Sequence, residues 1–425
     1  MSYLSEPTVN VGIMEADTLD VTLHGEYTDE AGNMVTGKIH ITQPMKIIPR
    51  RSDCRFTLHE VVIGIGFHWE QTMEQTFEGA LDVITSHSGK LIAVNVIGVE
   101  KYLRSVISSE MNANAPEEFL KAHAVISRSW LMAQMEHKNH PASQQEMVET
   151  ETERIKWYDH EDHELFDVCA DDHCQRYQGI RENMPASVTR ALDATRGEVL
   201  TSDGKLCDAR FSKCCGGMME RFSTCWANED MTYLATKRDA ESEEVLPNLT
   251  DEVEAERWCT SRPDAWCASP SPQLLAKVLN GYDLYTPDFY RWKVEYSGKE
   301  LAELLRERTG IDFGEIISMI PLHRGPSARI DKLRIHGTKH TMIVGKELEI
   351  RRSLSKSHLY SSAFVITPSH TNRLGVPQHW KLQGAGWGHG VGLCQIGAAA
   401  MADTGKPYTE ILTHYYPGAN ITKLY

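Results

Sequence analysis

The first hundred residues alternate between apolar and polar positions in short runs, which turn-forming Gly, Asp and Asn residues separate. Alternation with a period of two places one set of side chains on a buried strand face. We therefore predict a β-rich region, with strands within residues 19–23, 38–42, 55–65 and 90–96. Helical spacing follows over residues 99–111 and 116–136, and Pro116 with two glutamates after it suits the start of the second helix.

The second half of the chain mixes both kinds of spacing. A helix is predicted at 298–309, and strands are predicted at 198–200, 208–212, 291–296, 330–336 and 341–344. This mixture predicts an α+β fold, in which β-rich domains carry a helical pair. The predicted regions are a β-rich N-terminal region (1–85), a central region with a polar, His-rich insertion (86–236), an excursion (237–285) and an α/β segment with a glycine-rich motif (286–425).

Glu110 stands out on the first predicted helix. It follows Leu103, Val106 and Ile107 at the spacing of one apolar stripe. A buried carboxyl without a paired cation has a raised pKa, which keeps it protonated near neutrality and able to act as a general acid. The alternative is a frayed helix end, where Glu110 reaches water or a partner such as Arg128.

Two polar residues of the second predicted helix share faces with apolar ones. Arg128 on a partly apolar face requires an anionic partner, either Glu110 or a carboxylate of a bound substrate. We therefore count Arg128 as a candidate binding residue. His123 is interpreted as a core or boundary histidine with its hydrogen bonds satisfied.

Histidines and cysteines cluster in the polar insertion. His163, Cys169, His173 and Cys174 lie within a dozen residues of one another, and His160 precedes them. Thiolates with imidazoles are a ligand mixture that suits zinc, although the CxxC spacing of a zinc ribbon is missing. The segment is either a metal site or a pair of free cysteines among surface histidines.

The most unusual segment lies near the C-terminus, where six glycines surround Trp387, His389 and Gln395. Glycine clusters indicate positive φ or a ligand close to the backbone. A substrate loop is one interpretation, in which Trp387 offers a flat apolar face and the two polar side chains offer hydrogen bonds. The other is a tight turn that leads into a helix beginning near Gln395.

Charge and composition narrow the classes of partner. The chain has 425 residues, a net charge of −15 and 41% hydrophobic residues, as expected for a globular protein. The negative charge argues against nonspecific binding to nucleic acid or to an anionic bilayer. We find no apolar run of membrane-spanning length, and Met1 to Glu15 do not resemble a signal peptide.

Three segments in order resemble the stage II sporulation protein D / amidase-enhancer (SpoIID/LytB) family. They are Val-Glu-Lys-Tyr-Leu-Arg-Ser-Val-Ile-Ser-Ser-Glu-Met (99–111), Leu-Lys-Ala-His-Ala-Val-Ile-Ser-Arg-Ser-Trp (120–130) and Gly-Trp-Gly-His-Gly-Val-Gly-Leu-Cys-Gln-Ile-Gly-Ala (386–398). The resemblance covers most of residues 85–425. This chain departs from it at His123, where the family often has Gln, and at Cys394, where it often has Ser. It also has Lys-Cys-Cys-Gly-Gly at 213–217, where the family often has a Ser/Thr-Ser-Gly-Gly stretch.

The resemblance implies a lytic transglycosylase that cleaves peptidoglycan glycan strands after N-acetylmuramic acid, with Glu110 as the general acid/base. It also implies a zinc ion on His163, Cys169 and Cys174, with His173, His160 or water as fourth ligand. The implied partners are glycan strands, either intact or stripped of stem peptides, and a wall amidase. The family suggests the cell envelope or periplasm, whereas the residues leave the cytoplasm open.

Two rival functions remain at this point. One is a nonenzymatic wall-binding module that stimulates an amidase. The other is a thiol hydrolase with Cys394 as nucleophile and His389 or His414 as base, which requires a nearby base and a lowered thiol pKa.

Overall fold

Strands follow one another through the first hundred residues, so the predicted β-rich region is confirmed. The computed structural model describes residues 4–65, 70–139, 147–157, 163–181, 183–241, 245–268, 270–285 and 288–425. The first strands are β1 Thr8–Ala16, β2 Leu19–Thr28, β3 Met34–Ile41, β4 Met45–Pro49, β5 Arg55–Ile63, β6 Gln71–Glu78, β7 Ala80–Thr85 and β8 Leu91–Gly98. Alternate residues such as Val9, Val11 and Val21 are almost fully buried, because one face of each strand covers the core.

Two helices continue directly from β8. They are α1 Val99–Ser109 and α2 Glu117–Asn139, and a short turn joins them. Both predicted helices are confirmed, with α1 ending slightly earlier and α2 slightly later than the spacing suggested. Pro116 precedes α2, whose first turn carries Glu117 and Glu118.

The rest of the chain alternates short strands and helices, which confirms the α+β class. These elements are β9 Val148–Glu149, β10 Glu153–Ile155, β11 Val168–Cys169, α3 Ala186–Ala194, β12 Glu198–Ser202, β13 Lys205–Leu206, β14 Phe211–Ser212, α4 Phe222–Cys225, α5 Glu252–Thr260, α6 Pro272–Val278, a 3-10 helix Gly281–Tyr285, β15 Arg291–Ser297, α7 Gly298–Thr309, β16 Ile316–Arg324, β17 Ile330–Gly337, β18 Thr341–Gly345, α8 Glu347–Ser353, β19 Phe364–Thr371, β20 Pro377–Ala385, β21 Leu393–Cys394, α9 Gln395–Asp403, α10 Tyr408–Tyr415 and β22 Asn420–Lys423.

Local chemistry explains where these predictions succeed and fail. The helix predicted at 298–309 matches α7, because Ser297 and Glu300 form a reciprocal capping box that fixes its start. The strand predicted over 208–212 shortens to β14, since the Arg210 N–H donates to the Asp208 carbonyl in a tight turn.

The N-terminal strands form a mainly antiparallel sheet. Within the described residues its order is β11-β1-β8-β7-β4-β2-β5-β6, with β3 beside β2. β11 pairs in parallel with β1 and contains Cys169. The edge of this sheet therefore holds Cys169, a member of the His/Cys segment (residues 163–174).

The end of the chain returns to the first core. β12 pairs with β22 and β14 pairs with β21, and apolar residues of α9 and α10 join the core that α1 and α2 build with the first sheet. A separate core lies within residues 292–382. This return brings the glycine-rich segment close to the end of α1. Among the described helices, none combines the length and apolarity that crossing a bilayer requires.

Candidate active-site cleft

A cleft of about 880 Å³ opens between the end of α1, residues 163–176 and the glycine-rich segment. This volume lies within the range of roughly 300–1,000 Å³ that is usual for small-molecule sites. The predicted site residues that line it are Glu110, His163, Cys169, Cys174, Trp387, His389 and Gln395. The fold thus brings together catalytic, metal-binding and substrate-binding candidates from distant parts of the chain.

Glu110 lies immediately after α1, with 9% of its surface exposed. Its N–H donates to the Val106 carbonyl, so the helical turn continues through it and the helix end is not frayed. Its Oε1 accepts a hydrogen bond from the Arg176 backbone N–H at 2.8 Å. Burial raises the pKa of the Glu110 carboxyl, and the nearby Arg176 charge opposes this only in part. The arrangement is that of an acid that keeps its proton to a higher pH than an ordinary glutamate.

The two cationic side chains near Glu110 are paired with other carboxylates. Lys213 Nζ donates to the Glu110 main-chain oxygen at 3.3 Å and to Asp283 Oδ2 at 2.9 Å. Asp172 Oδ1 accepts from Arg176 Nε at 2.5 Å, and the negative charge of Asp172 raises the pKa of Glu110 further. Both cations thus have a carboxylate partner other than Glu110.

Arg128 does not line the cleft, and the substrate-binding role predicted for it is wrong. Its guanidinium is fully buried and binds Glu100 through two bonds, Nε to Oε1 at 2.9 Å and Nη2 to Oε2 at 2.7 Å. Its Nη1 also donates to the Glu198 carbonyl at 2.9 Å. The anionic partner is therefore in the first turn of α1, and the pair holds α1 against α2 and β12.

The glycine-rich segment serves packing and the cleft together. Gly386, Gly388, Gly390 and Gly392 all have positive φ. A Cβ at Gly386 would lie 2.8 Å from the Cys214 carbonyl oxygen, so this glycine permits a close approach of two protein backbones. The segment is thus tightly packed on its inner side, while Trp387, Gly388, His389 and Gln395 line the cleft.

Trp387 and His389 are the half-buried members of this segment in the cleft. The Trp387 ring stacks on Phe289 at a centroid distance of 5.1 Å and meets Tyr360 edge-on at 5.0 Å. His389 Nδ1 accepts from the Val391 N–H at 3.0 Å, and burial lowers the pKa of His389 well below its usual range. His389 is therefore a neutral imidazole at physiological pH.

Gln395 begins α9 and is only 2% exposed. Its Nε2 donates to His123 Nε2 at 3.1 Å, and His123 Nδ1 lies 3.2 Å from Ser127 Oγ. The interpretation of His123 as a satisfied core histidine is confirmed. Gln395 lines the cleft but is also a structural partner, because its removal would leave a buried imidazole nitrogen without a hydrogen bond.

The His/Cys segment has the geometry of a metal site. The ligand atoms of His163, Cys169, His173 and Cys174 lie within 4.8 Å of one another. Cys174 Sγ is 3.4 Å from His163 Nε2 and 3.5 Å from His173 Nδ1, and Cys169 Sγ is 3.9 Å from His173 Nδ1. Tetrahedral zinc at its usual bond lengths separates such ligand atoms by about 3.3–3.8 Å. The donor set therefore fits zinc, with His173 as the fourth ligand; His160 lies outside the described residues.

Comparison with known families supports the resemblance seen in the sequence. Residues 87–202 match the family model for the Stage II sporulation protein, SpoIID. The chain carries a SpoIID domain. Residues 220–392 match a second family model, a domain of unknown function named DUF8618. Glu110 and the four His/Cys residues lie in the SpoIID match, whereas Trp387 and His389 lie in the second match, so the cleft is built from both.

Known relatives of this SpoIID-domain chain are similar at modest identity. The amidase enhancer of Bacillus subtilis (strain 168) is 24% identical over 267 residues, which are 58% of this chain and 34% of the enhancer. The chain thus spans about a third of that relative's length. Stage II sporulation protein D of Bacillus amyloliquefaciens is 24% identical over 339 residues, or 78% of this chain and 76% of the relative. An uncharacterized protein of Brachyspira hyodysenteriae is 26% identical over 335 residues, or 79% and 69%.

Some cleft residues of the SpoIID-domain chain escaped the sequence analysis. Asp172, Arg176 and Lys213 surround Glu110, and Arg210 lies over the Trp226 ring with 4.4 Å between guanidinium carbon and ring centroid. The signal for Asp172 was its position within the His/Cys run. Lys213 and Arg210 had no signal, because their proximity depends on the return of the C-terminal segment.

The buried His123 predicts a pH effect on stability. Burial lowers the pKa of His123 to about 3 from 6.5, so the unfolded state binds an extra proton as the pH falls below 6.5. Stability is therefore lost on acidification, by about 2 kcal/mol between pH 7 and pH 5 through this group alone. His123→Gln keeps an acceptor for Gln395. In denaturant titrations at pH 7 and pH 5, the loss of stability on acidification should be smaller in this variant than in the wild type by about 2 kcal/mol. The matched control, His87→Gln at a side chain 76% exposed, should leave the pH dependence as in the wild type; an unchanged dependence in His123→Gln would contradict the account.

Proposed function

We propose that this chain is a lytic transglycosylase that cleaves peptidoglycan glycan strands in the cell envelope after N-acetylmuramic acid. The observation that carries the proposal is Glu110, a buried carboxyl with a raised pKa at the wall of a cleft of suitable size. The relatives of this chain that are named stage II sporulation protein D and amidase enhancer support a role at the cell wall.

The proposed chemistry uses one group twice. The Glu110 carboxyl donates its proton to the glycosidic oxygen as the bond from that oxygen to C1 of the muramic acid breaks. The C6 hydroxyl oxygen of the same sugar then bonds to C1, and its proton returns to the Glu110 carboxylate. A 1,6-anhydro ring forms, no water is consumed and Glu110 ends protonated as it began. Most glycosidases require a pair of carboxylates, whereas these reaction steps require only one.

The cleft wall suits an anionic sugar. Trp387 offers an apolar ring face for a pyranose, and neutral His389 offers a hydrogen-bonding edge. Cationic side chains line the same cleft, namely Arg176, Arg210, Lys213 and Arg351. Each is paired with a carboxylate, namely Asp172, Asp208, Asp283 and Glu347, so these cations offer N–H donors rather than unbalanced positive charge to the free lactyl carboxylate of a muramic acid stripped of its peptide.

The His/Cys segment supports the acid through structure. We propose that His163, Cys169, His173 and Cys174 hold a zinc ion whose four protein ligands leave no open position, as in structural sites. The metal would order residues 163–176, and Arg176 at the end of this segment donates the N–H that positions Glu110. The ion would take no part in the reaction itself; it would contribute free energy to the folding of this segment.

The second candidate function is a wall-binding module that enhances an amidase without cleaving glycan itself. The name of the amidase-enhancer relative favours it. The Cys394 hydrolase has less support, because the Cys394 side chain is fully buried and its Sγ accepts the Cys215 N–H at 3.2 Å. His389 was one of the two candidate bases, and its Nδ1 already accepts the Val391 N–H.

Mass spectrometry of glycan strands tests the proposal. Purified protein should release fragments with 1,6-anhydro-muramic ends, and it should act faster on strands stripped of peptides than on intact ones. Binding without any new chain ends would contradict the transglycosylase and favour the enhancer. New reducing ends would instead indicate a hydrolase.

A further inference from the structure

A second cluster of metal-ligating side chains lies inside the protein, away from the His/Cys segment. Cys215, Asp239, Cys267 and Cys394 come from four separate parts of the chain, and each is at most 2% exposed. Their ligand atoms all lie within 4.8 Å of one another. None of the four lines the cleft.

The separations match those of a four-coordinate ion. Cys215 Sγ is 3.7 Å from Cys267 Sγ and 3.4 Å from Asp239 Oδ2. A tetrahedral zinc ion separates two sulfur ligands by about 3.8 Å and a sulfur from an oxygen by about 3.5 Å. The side chains therefore already surround a position that one such ion would occupy.

The charge of Asp239 gives an independent reason for a cation here. This carboxyl is fully buried, and a buried carboxylate is costly without a counter-charge. It accepts hydrogen bonds from Tyr415 OH at 2.7 Å and from the Cys267 N–H at 3.2 Å. In the described part of the chain its ion-pair partner is the imidazole of His414, with Nε2 3.6 Å from Oδ1. A divalent ion bound to the carboxylate would supply a permanent positive charge, which an imidazole supplies only when it is protonated.

We propose that Cys215, Cys267, Cys394 and Asp239 bind a second, structural metal ion, and that this ion is zinc. Three sulfur donors favour zinc over the hard cations magnesium and calcium. Binding displaces the thiol protons to solvent and forms three metal–sulfur bonds and one metal–oxygen bond. No open coordination position remains for substrate, which fits the burial of the cluster.

The position of this site links it to the cleft. Cys394 precedes Gln395, which lines the cleft at the start of α9. Cys214, the neighbour of Cys215, exchanges two backbone hydrogen bonds with Trp387, at 2.7 and 3.1 Å. The ion would thus tie the excursion that holds Asp239 and Cys267 to β21 and to the segment that follows β14, next to the cleft wall.

Metal counting on the whole protein tests the inference. Native mass spectrometry of wild-type protein, purified without chelator, should show about two zinc ions per chain, since structural zinc binds tightly enough to survive purification. Cys267→Ser should lose one ion and keep the ion of the His/Cys segment. Cys174→Ser should lose the other ion, and Cys54→Ser, at a buried cysteine outside both clusters, should keep both.

Two zinc ions per chain in the wild type would support the inference, and none would overturn it, even if a variant fails to fold. One ion per chain that Cys174→Ser removes would overturn the inference, as would a disulfide between Cys215 and Cys267 in peptide mapping. Because this site is separate from Glu110, two bound ions in a protein without glycan-cleaving activity would support it while contradicting the proposed function.

Discussion

Glu110→Gln should fold like the wild type and lose release of anhydro-ended glycan almost completely. The amide keeps the shape of the side chain, and its carbonyl oxygen can still accept the Arg176 N–H. It cannot deliver or recover a proton, so the rate should fall by about two to four orders of magnitude. The measurement is the initial rate of release from stripped strands, with the melting temperature as the check on folding.

The pH profile gives the same prediction a second readout. Because burial raises the Glu110 pKa, the wild-type rate should persist above the pH at which an ordinary glutamate ionises and fall as the pH rises further. Asp172→Asn is the matched control in the same cleft. It removes a negative charge that raises the Glu110 pKa, so the high-pH limb should move to lower pH while turnover continues. Equal, near-complete losses in both variants would point to a two-carboxylate hydrolase instead.

The second large effect is expected at the His/Cys segment. Cys174→Ser removes one of four closely placed ligand atoms, and the proposed zinc should be lost with it. Structural zinc sites supply roughly 10–16 kcal/mol in small zinc-binding peptides, so a loss of several kcal/mol in unfolding free energy is expected here. Calorimetry should show a markedly lower melting temperature, together with one metal ion fewer in elemental analysis.

The control for this variant is Cys54→Ser, at a buried cysteine in the N-terminal sheet region. It should keep its metal content and most of its stability. If Cys174→Ser and Cys54→Ser melt alike with unchanged metal, the His/Cys segment does not bind zinc. A disulfide between Cys169 and Cys174 would lead to the same conclusion.

The sequence predicted those features that depend on residues close to one another along the chain. Helical spacing put Glu110 on the stripe of Leu103, Val106 and Ile107 that faces the core, which made burial one of two alternatives; the structure selects burial over a frayed helix end. The predicted bounds of α7 hold because both of its ends are set locally, the start by the Ser297–Glu300 capping box and the end by Gly310 with positive φ. The proximity in sequence of the His and Cys residues left a metal site and free cysteines both open, and the structure brings their ligand atoms together.

Pairings between distant segments were not predictable. The sequence predicted Glu110 or a substrate carboxylate as the partner of Arg128, whereas the packing of α2 on α1 selects Glu100. The buried cluster of Cys215, Asp239 and Cys267 with Cys394 has no spacing pattern at all, since its last member arrives through the pairing of β21 with β14. The division of the chain into four regions and the roles of the cleft residues remain predictions.

The central claim is that the C6 hydroxyl of muramic acid, and not water, attacks C1. Digestion of stripped glycan strands in water labelled with oxygen-18 tests this directly, with the new chain ends analysed by mass spectrometry. The account predicts anhydro ends that contain no oxygen-18 in the wild-type digest, and no new ends with Glu110→Gln. New reducing ends that carry oxygen-18 at C1 would contradict it.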